Sequence, residues 1–148
     1  MSKLIRKSHN VTVLLYHIVC PTKYRRVVIT EEVDQVLKQT CLGIADRYEI
    51  TFLEIGADED HVHFLVQSVP SYNPGRIVRI IKSLTAREIF KQVPSVKKQL
   101  WGGKFWTSGY YMATVGQHAS EDQIRNYVKQ QGQSDRYKQL HFEQLTLW

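Results

Sequence analysis

The chain has 148 residues, of which 43% are apolar and 23% are charged, and its formal net charge is +6. This composition is ordinary for a soluble globular protein, and the length can bury a core without disulfides or a structural zinc, so we predict one domain over residues 1–148. The apolar runs are too short to span a bilayer and no apolar signal region follows the basic N-terminus. We therefore expect a cytoplasmic protein with no membrane partner.

The net charge indicates a class of partner, and the cysteine spacing excludes two kinds of site. A net positive charge favours a polyanionic partner, because counterion release drives basic surfaces onto phosphate backbones, although a merely soluble basic protein has the same composition. The two cysteines, Cys20 and Cys41, lack the CxxC spacing of a zinc or redox site. We interpret both as reduced thiols that pack in the core.

The first half of the chain predicts a strand, a helix and a hairpin. Val11 to Val19 is rich in β-branched and aromatic residues and is typical of a strand. Thr30 is an N-cap candidate for a helix with an apolar stripe at three- and four-residue steps. The members of that stripe are Val33, Val36, Leu37, Cys41, Ile44, Ala45 and Tyr48. Glu49 to Ile55 and His61 to Val69 predict two strands, joined by a turn at 56–60.

The second half predicts a helix, a long strand and a terminal helix. Asn73 and Pro74 indicate a helix start, with an end expected before Pro94. Its predicted buried face consists of Ile77, Ile80, Ile81 and Leu84. A strand is expected from Lys104 to Val115, and a capping box at Ser120 begins a final helix. The order β-α-β-β-α-β-α predicts an α+β fold of the ferredoxin-like, split β-α-β type, with helices on one face of an antiparallel sheet and the other face open.

Two pairs of polar residues are candidates for a catalytic site. His61 and His63 alternate in a predicted strand, so both imidazoles should reach one metal ion. Tyr127 and Gln131 lie one turn apart on the predicted terminal helix. A buried Gln131 amide without a hydrogen-bond partner would cost about 1–3 kcal/mol, and the metal ion bound by the two histidines would provide such a partner. Plainer interpretations are a core tyrosine and a histidine pair that is exposed or part of a zinc site.

Basic and aromatic residues are candidates for nucleic-acid contacts. Arg76, Arg79 and Arg87 recur at three- and four-residue steps along the second helix, which suits phosphate tracking but also fits an ordinary solvated face. The other basic candidates are Arg6, Lys7, Arg25 and Arg26. Aromatic side chains that could stack on bases, most of them expected in the core, are Trp101, Phe105, Trp106, Tyr110 and Tyr111.

Taken together, these segments resemble the single-tyrosine HUH transposases of bacterial insertion sequences. The matching segments, in order, are Tyr16-His17-Ile18-Val19, Lys23-Tyr24-Arg25-Arg26, Asp60-His61-Val62-His63, Leu100-Trp101, 105–111, Thr114-Val115-Gly116 and the helix with Ile124, Tyr127, Val128 and Gln131. One departure is the run Val19-Cys20-Pro21, where family members commonly have tryptophan and cysteine before the proline.

The resemblance implies a mechanism and a partner. His61, His63 and Gln131 would bind Mg²⁺ or Mn²⁺, and Tyr127, on the C-terminal helix, would be the nucleophile. The substrate would be single-stranded DNA with hairpins at the ends of a mobile element, cut and rejoined through a 5′-phosphotyrosine. A homodimer is implied, in which the tyrosine helix of one subunit completes the histidine pair of the other. The alternatives are a domesticated palindrome-cutting relative, a replication initiator or relaxase, and a nucleic-acid-binding module without catalysis.

Overall fold

The structure is a computed structural model that describes residues 5–7, 10–12 and 14–115. Two short 3₁₀ turns, Lys23–Arg25 and Trp101–Gly103, interrupt the connections. The strands and helices, in chain order, are β1 (Ile5–Lys7), β2 (Asn10–Thr12), β3 (Leu14–Pro21), α1 (Glu31–Arg47), β4 (Thr51–Ala57), β5 (His61–Ser68), α2 (Pro74–Gln92), α3 (Pro94–Gln99) and β6 (Tyr111–Thr114). The predicted terminal helix, with Tyr127 and Gln131, lies outside the described residues.

Four of the strands form one antiparallel sheet in the order β4-β5-β3-β6, and β1 and β2 form a separate antiparallel pair. Strands β3 and β4 are consecutive along the chain but are not neighbours in the sheet, because β5 lies between them. Helix α1 forms the crossover that connects them. The second crossover, through α2, brings β6 to the other side of β3. This is the ferredoxin-like arrangement, so the predicted α+β fold class is confirmed.

Both long helices begin where their capping residues predict. The Thr30 side chain accepts a hydrogen bond from the Val33 amide at 3.3 Å, and acids follow in the first turn of α1. At the start of α2, the Asn73 side chain accepts from the Arg76 amide at 2.8 Å, with Pro74 at the first helical position. These caps satisfy amide groups that have no partner within the helix. Helix α2 also ends before Pro94, as expected, and the short α3 was not predicted.

The main core lies between the helices and one face of the sheet. Alternate residues of the central strands face it, among them Ile18 in β3 and Phe64 in β5. The predicted α1 stripe is buried from Val33 to Ile44, but Ala45 is exposed because it lies about 100° around the helix from Ile44. In α2, Ile77 and Ile81 are fully buried as predicted, while Ile80 and Leu84 are partly buried.

The predicted hairpin strands shift by one or two residues, to Thr51–Ala57 and His61–Ser68, and the first and last predicted strands differ more. The first is divided into β2 and β3, and β3 continues to Pro21. Proline is accommodated there because β6 pairs with β3 only over residues 16–19, so the missing N–H interrupts no ladder on that side. The last is confined to Tyr111–Thr114. The aromatic run before it departs from strand alternation, since adjacent Phe105 and Trp106 are both buried.

The second face of the sheet carries His61, His63 and Leu65. We expect this face to be open, with exposure limited by Leu65, but it is more covered than that: His61 is 3% exposed, and His63 and Leu65 are 0% exposed. Leu65 and Leu53 form a small apolar cluster there, separate from the main core. The face therefore has an apolar part beside its imidazoles, and apolar surface favours burial. Among the described helices, none is sufficiently long and apolar to cross a membrane.

Candidate active site

The two histidines of β5 are close neighbours on the face opposite the helices. His61 begins the strand and pairs with Pro21 of β3, and His63 pairs with Val19. Their ring centroids are 5.1 Å apart, with the planes at 71°. Alternation along the strand therefore brings the two imidazoles together, as the one-residue spacing predicts.

His61 is oriented by the acidic residue immediately before it. The Asp60 carboxylate accepts a hydrogen bond from the His61 Nδ1–H, with 2.7 Å between Oδ1 and Nδ1. A proton on Nδ1 leaves the lone pair of a neutral imidazole on Nε2, so this contact favours the tautomer that binds a metal through Nε2. Asp60 was not among the predicted site residues. Its position next to His61 was the available signal.

Arg25 holds the other side of the Asp60 carboxylate. Its Nε and one terminal nitrogen donate to the two carboxylate oxygens, each at 3.4 Å. The Arg25 side chain is 44% exposed, whereas that of Asp60 is 10% exposed. Arg25, predicted as a DNA contact, therefore lies where it also supports the residue that orients His61.

The loop that presents Arg25 has an unusual backbone. Tyr24 and Arg25 have φ values of +58° and +51°, in the left-handed region that side chains with a Cβ seldom adopt. Hydrogen bonds fix this loop: the Thr22 amide donates to the Asp60 carbonyl at 2.9 Å, and the Lys23 amide donates to the Phe105 carbonyl at 2.8 Å. The Thr22 hydroxyl also contacts the Arg26 carbonyl at 2.7 Å. Strained conformations persist where the surroundings determine them in this way.

The predicted arginine stripe of α2 lies on the other side of the molecule. Arg76, Arg79 and Arg87 are all exposed, and the Arg76 guanidinium is 4.2 Å from the centre of the Tyr72 ring. Since α2 packs on the main-core face, the sheet separates this stripe from the histidine pair. Arg26 is exposed near the histidine end of β3, and Arg6 and Lys7 belong to β1.

The residues present fit part of a metal site. In both β5 rings Nδ1 makes the described hydrogen bond, so Nε2, which is buried in each, is the atom through which either ring would bind a divalent ion. Within the described ranges, no group of three or more His, Cys, Asp or Glu residues could hold a metal. A third protein ligand would have to be of another type or lie elsewhere in the chain. Gln131 is outside the described residues.

Four of the five aromatic candidates fall into two groups, and the side chain of the fifth, Trp101, is outside what the structure describes. Phe105 and Trp106 belong to the main core, and the Trp106 indole donates to the Thr85 hydroxyl at 3.0 Å. Tyr110 and Tyr111 are 44% and 39% exposed. Between the groups, the Lys82 ammonium donates to the Thr107 carbonyl at 2.7 Å and fixes the segment before β6. Of the candidates whose side chains the structure describes, the two tyrosines are the exposed ones and remain available for stacking on bases.

Known proteins similar to this chain are transposases. The ISDra2 transposase TnpA of Deinococcus radiodurans is 32% identical over 118 residues, which cover 80% of this chain and 84% of that protein. The transposase for insertion sequence element IS200 of Salmonella typhimurium is 26% identical over 121 residues, which cover 82% and 78%.

Solved structures give the same result for the fold. A crystal structure of a Deinococcus radiodurans R1 protein, described as a candidate transposase, has a TM-score of 0.70 at 30% identity, over 84% of this chain and 95% of that one. A REP-associated tyrosine transposase bound to a REP hairpin has a TM-score of 0.54 at 14% identity, over 86% and 70%, which is a likeness of fold alone.

The family match covers most of the chain. Residues 10–131 match the model described as "Transposase IS200 like", a segment that contains the whole four-stranded sheet and its histidine pair. The resemblance recognised from the sequence is thereby confirmed: the chain belongs to the IS200-like transposase family, whose members act in DNA transposition.

Proposed function

We propose that this protein cuts and rejoins single-stranded DNA at the ends of a mobile element, with Tyr127 as the nucleophile. The main support is the buried imidazole pair on β5, with His61 oriented by Asp60, inside a family match that continues through Tyr127 and Gln131. Membership of a transposase family makes DNA the substrate class. The single-stranded form, the phosphotyrosine and the metal are the proposed refinements.

The chemistry requires no nucleotide cofactor. The Tyr127 hydroxyl oxygen attacks phosphorus, a P–O bond to tyrosine forms, and the bond from phosphorus to the 3′ oxygen breaks. That oxygen takes up a proton and leaves as a 3′-hydroxyl, while the phosphate stays on the 5′ end of the other fragment as a phosphotyrosine. A 3′-hydroxyl from a second strand then attacks the phosphotyrosine and gives up its proton, the bond from phosphorus to the Tyr127 oxygen breaks, and that oxygen regains a proton. A phosphodiester is restored and the tyrosine is regenerated, so one phosphoester bond is exchanged for another in both steps.

We propose that His61, His63 and Gln131 hold Mg²⁺ or Mn²⁺. When bound, the ion would supply positive charge beside the phosphate and favour ionisation of a tyrosine whose ordinary pKa is about 10. The contribution of the described residues is to hold two neutral nitrogen ligands in place. Asp60 fixes one of them, and burial limits competition from water for both.

The proposed partner is single-stranded DNA with hairpins at the element ends, bound by a homodimer with shared active sites. The net charge of +6 and the exposed arginines on α2 and in the loop before α1 support a polyanionic partner. The solved hairpin complex concerns a protein of the same fold. A binding module without catalysis makes the same electrostatic prediction, so cleavage is the decisive property.

The test uses hairpin oligonucleotides from the DNA that flanks the gene, labelled at either end, on denaturing gels with Mg²⁺ or Mn²⁺. We expect the 3′-labelled strand to become linked to protein and the 5′-labelled strand to shorten to a free 3′-hydroxyl. Tyr127→Phe and His61→Ala should abolish both products. Tyr110→Phe is the matched control, because this exposed tyrosine has no proposed role in the chemistry.

Other outcomes distinguish the alternatives. Binding of the correct flanking ends without any covalent product would support the non-catalytic module. Cleavage of dispersed genomic palindromes, with the flanking ends left intact, would support a domesticated relative. Covalent product that persists in Tyr127→Phe would refute the assignment of the nucleophile.

A further inference from the structure

A third histidine contacts the pair on β5. His17 lies in β3 opposite Leu65. It is two residues before Val19, which pairs with His63, so its side chain is on the same face of the sheet as that of His63. Its Nε2 is 2.9 Å from the Nδ1 of His63, and the two rings are stacked with centroids 5.1 Å apart and planes at 24°. His17 is 1% exposed and His63 is 0% exposed. The contact is thus a buried hydrogen bond between specified ring atoms.

The direction of this hydrogen bond determines which atom of His63 can bind a metal. A neutral imidazole has one N–H and one lone pair. If His63 donates from Nδ1, its lone pair is on Nε2. If His17 donates from Nε2 instead, a neutral His63 keeps its proton on Nε2, and that atom cannot be a ligand. Only the first direction is compatible with the proposed metal site.

We propose that His17 is a positioning residue that accepts the Nδ1–H of His63 and so directs Nε2 of His63 towards the divalent ion. The inference rests on the proposed metal site but not on cleavage by Tyr127. It gives His17 the role towards His63 that Asp60 has towards His61. Metal-binding histidines are generally oriented in this way through their second ring nitrogen, and loss of the partner weakens metal binding.

The position of His17 in the sheet suits this role. Strand β3 is hydrogen-bonded on both sides, to β5 and to β6, and the residue opposite His17 on β6 is the small Ala113. The backbone that carries the acceptor is therefore fixed in register with the backbone that carries the donor. His17 is also neutral when it accepts, so it orients His63 without adding a second buried negative charge beside Asp60.

The first test measures Mn²⁺ binding to the full chain without DNA, by calorimetry and by the electron paramagnetic resonance signal of the free ion. We expect His17→Leu to weaken binding by about 10–100-fold. His17→Gln should bind Mn²⁺ close to wild type, because its amide oxygen can take the place of Nε2 as the acceptor. His61→Ala gives the value for loss of a ligand.

A matched control separates orientation from a general loss of stability. Thr85→Val removes a buried hydroxyl that hydrogen-bonds Trp106 on the main-core face. It should lower the thermal midpoint without changing Mn²⁺ affinity. Equal affinity in wild type and His17→Leu would overturn the inference, as would a failure of His17→Gln to restore it. Absence of Mn²⁺ binding to the wild type would also overturn it, whereas failure of cleavage with intact Mn²⁺ binding would count only against the proposed function.

The second test observes the tautomer directly. Nitrogen-15 chemical shifts of the imidazole rings in the metal-free protein distinguish a proton on Nδ1 from one on Nε2. We expect His63 to be protonated on Nδ1 in the wild type and in His17→Gln, and to lose that preference in His17→Leu. Protonation of His63 on Nε2 in the wild type would contradict the proposed direction of the hydrogen bond.

Discussion

Asp60 connects the basic loop to the histidine pair. Its carboxylate accepts from the His61 ring on one side and from the Arg25 guanidinium on the other. The Arg25 contacts are long and partly exposed, so their contribution is reduced by solvent. The 2.7 Å contact with His61 is buried and short, and is the one that we expect to affect metal binding.

The prediction at the residue scale concerns Asp60→Ala. Removal of the carboxylate frees the His61 ring to rotate and to change tautomer, so we expect Mn²⁺ affinity to fall by about 10–100-fold, measured by calorimetry. Asp58→Ala is the control, because the Asp58 side chain accepts from the neighbouring Glu59 amide and is not in a described contact with His61. Equal losses in the two variants would show that the effect is one of general charge.

At the scale of the element, α2 and β5 carry different chemistry on opposite sides of the sheet. The outer face of α2 carries arginines, and the face of β5 away from α2 carries the histidines. DNA that followed the α2 stripe would therefore have to pass around the edge of the sheet to reach the site. Binding and chemistry are consequently separable by mutation.

We predict that the triple variant Arg76→Gln, Arg79→Gln and Arg87→Gln binds single-stranded DNA with a weaker salt dependence. Loss of three phosphate contacts should reduce the slope of log affinity against log salt by about 2, measured by fluorescence anisotropy. The control changes Lys97, Lys98 and Lys104 to Gln, which removes the same charge from exposed positions elsewhere. If both triples change the slope equally, net charge and not the α2 stripe is responsible.

For the molecule as a whole, the two buried thiols make stability depend on alkaline pH. Cys20 and Cys41 lie in the main core, and burial raises the pKa of each from 9.0 to about 12. Unfolded thiols therefore ionise before folded ones, so the unfolded state binds fewer protons and stability falls as pH rises from 9 towards 12. Lys82, whose pKa burial lowers, acts in the opposite sense, but it is one group against two.

The expected slope is about 1.4 kcal/mol per pH unit for each thiol over this window. Urea unfolding at about pH 8 and about pH 10 measures it. Cys41→Ala should be less stable than the wild type at the lower pH, because the substitution leaves a small cavity. Between the lower and the higher pH, however, its free energy of unfolding should fall by less than that of the wild type. Other groups titrate equally in both proteins and cancel in the comparison. An identical fall in both would contradict the raised pKa of Cys41.

The second prediction for the whole molecule tests the proposed shared site. Tyr127→Phe and His61→Ala subunits should each be inactive alone. If each site takes its histidines from one subunit and its tyrosine from the other, random mixing makes half of the dimers mixed and restores one site in each, so about a quarter of the activity returns. Cleavage of labelled hairpins by the mixture measures this recovery. An inactive mixture would exclude sharing in that form.

The sequence by itself determined the features that depend on neighbouring residues. Thr30 and Asn73 mark the helix starts because a cap acts within three residues, and His61 and His63 share a face because strand residues alternate. The order of elements was then sufficient for the ferredoxin-like class. The long aromatic strand was predicted wrongly because Phe105 and Trp106 follow the demands of the core beneath α2 instead of alternation.

Only the tertiary structure decided what surrounds the histidine pair. Arg25 and Asp60 are 35 residues apart in the chain, and His17 and His63 are 46 apart, so no local pattern connects them. Burial of the histidine face likewise depends on packing and not on the β5 sequence, whose alternation fits an open or a covered face equally well. Local propensity and alternation act over a few residues, whereas strand register and loop hydrogen bonds join distant ones, and the orientation of the candidate ligands depends on the latter.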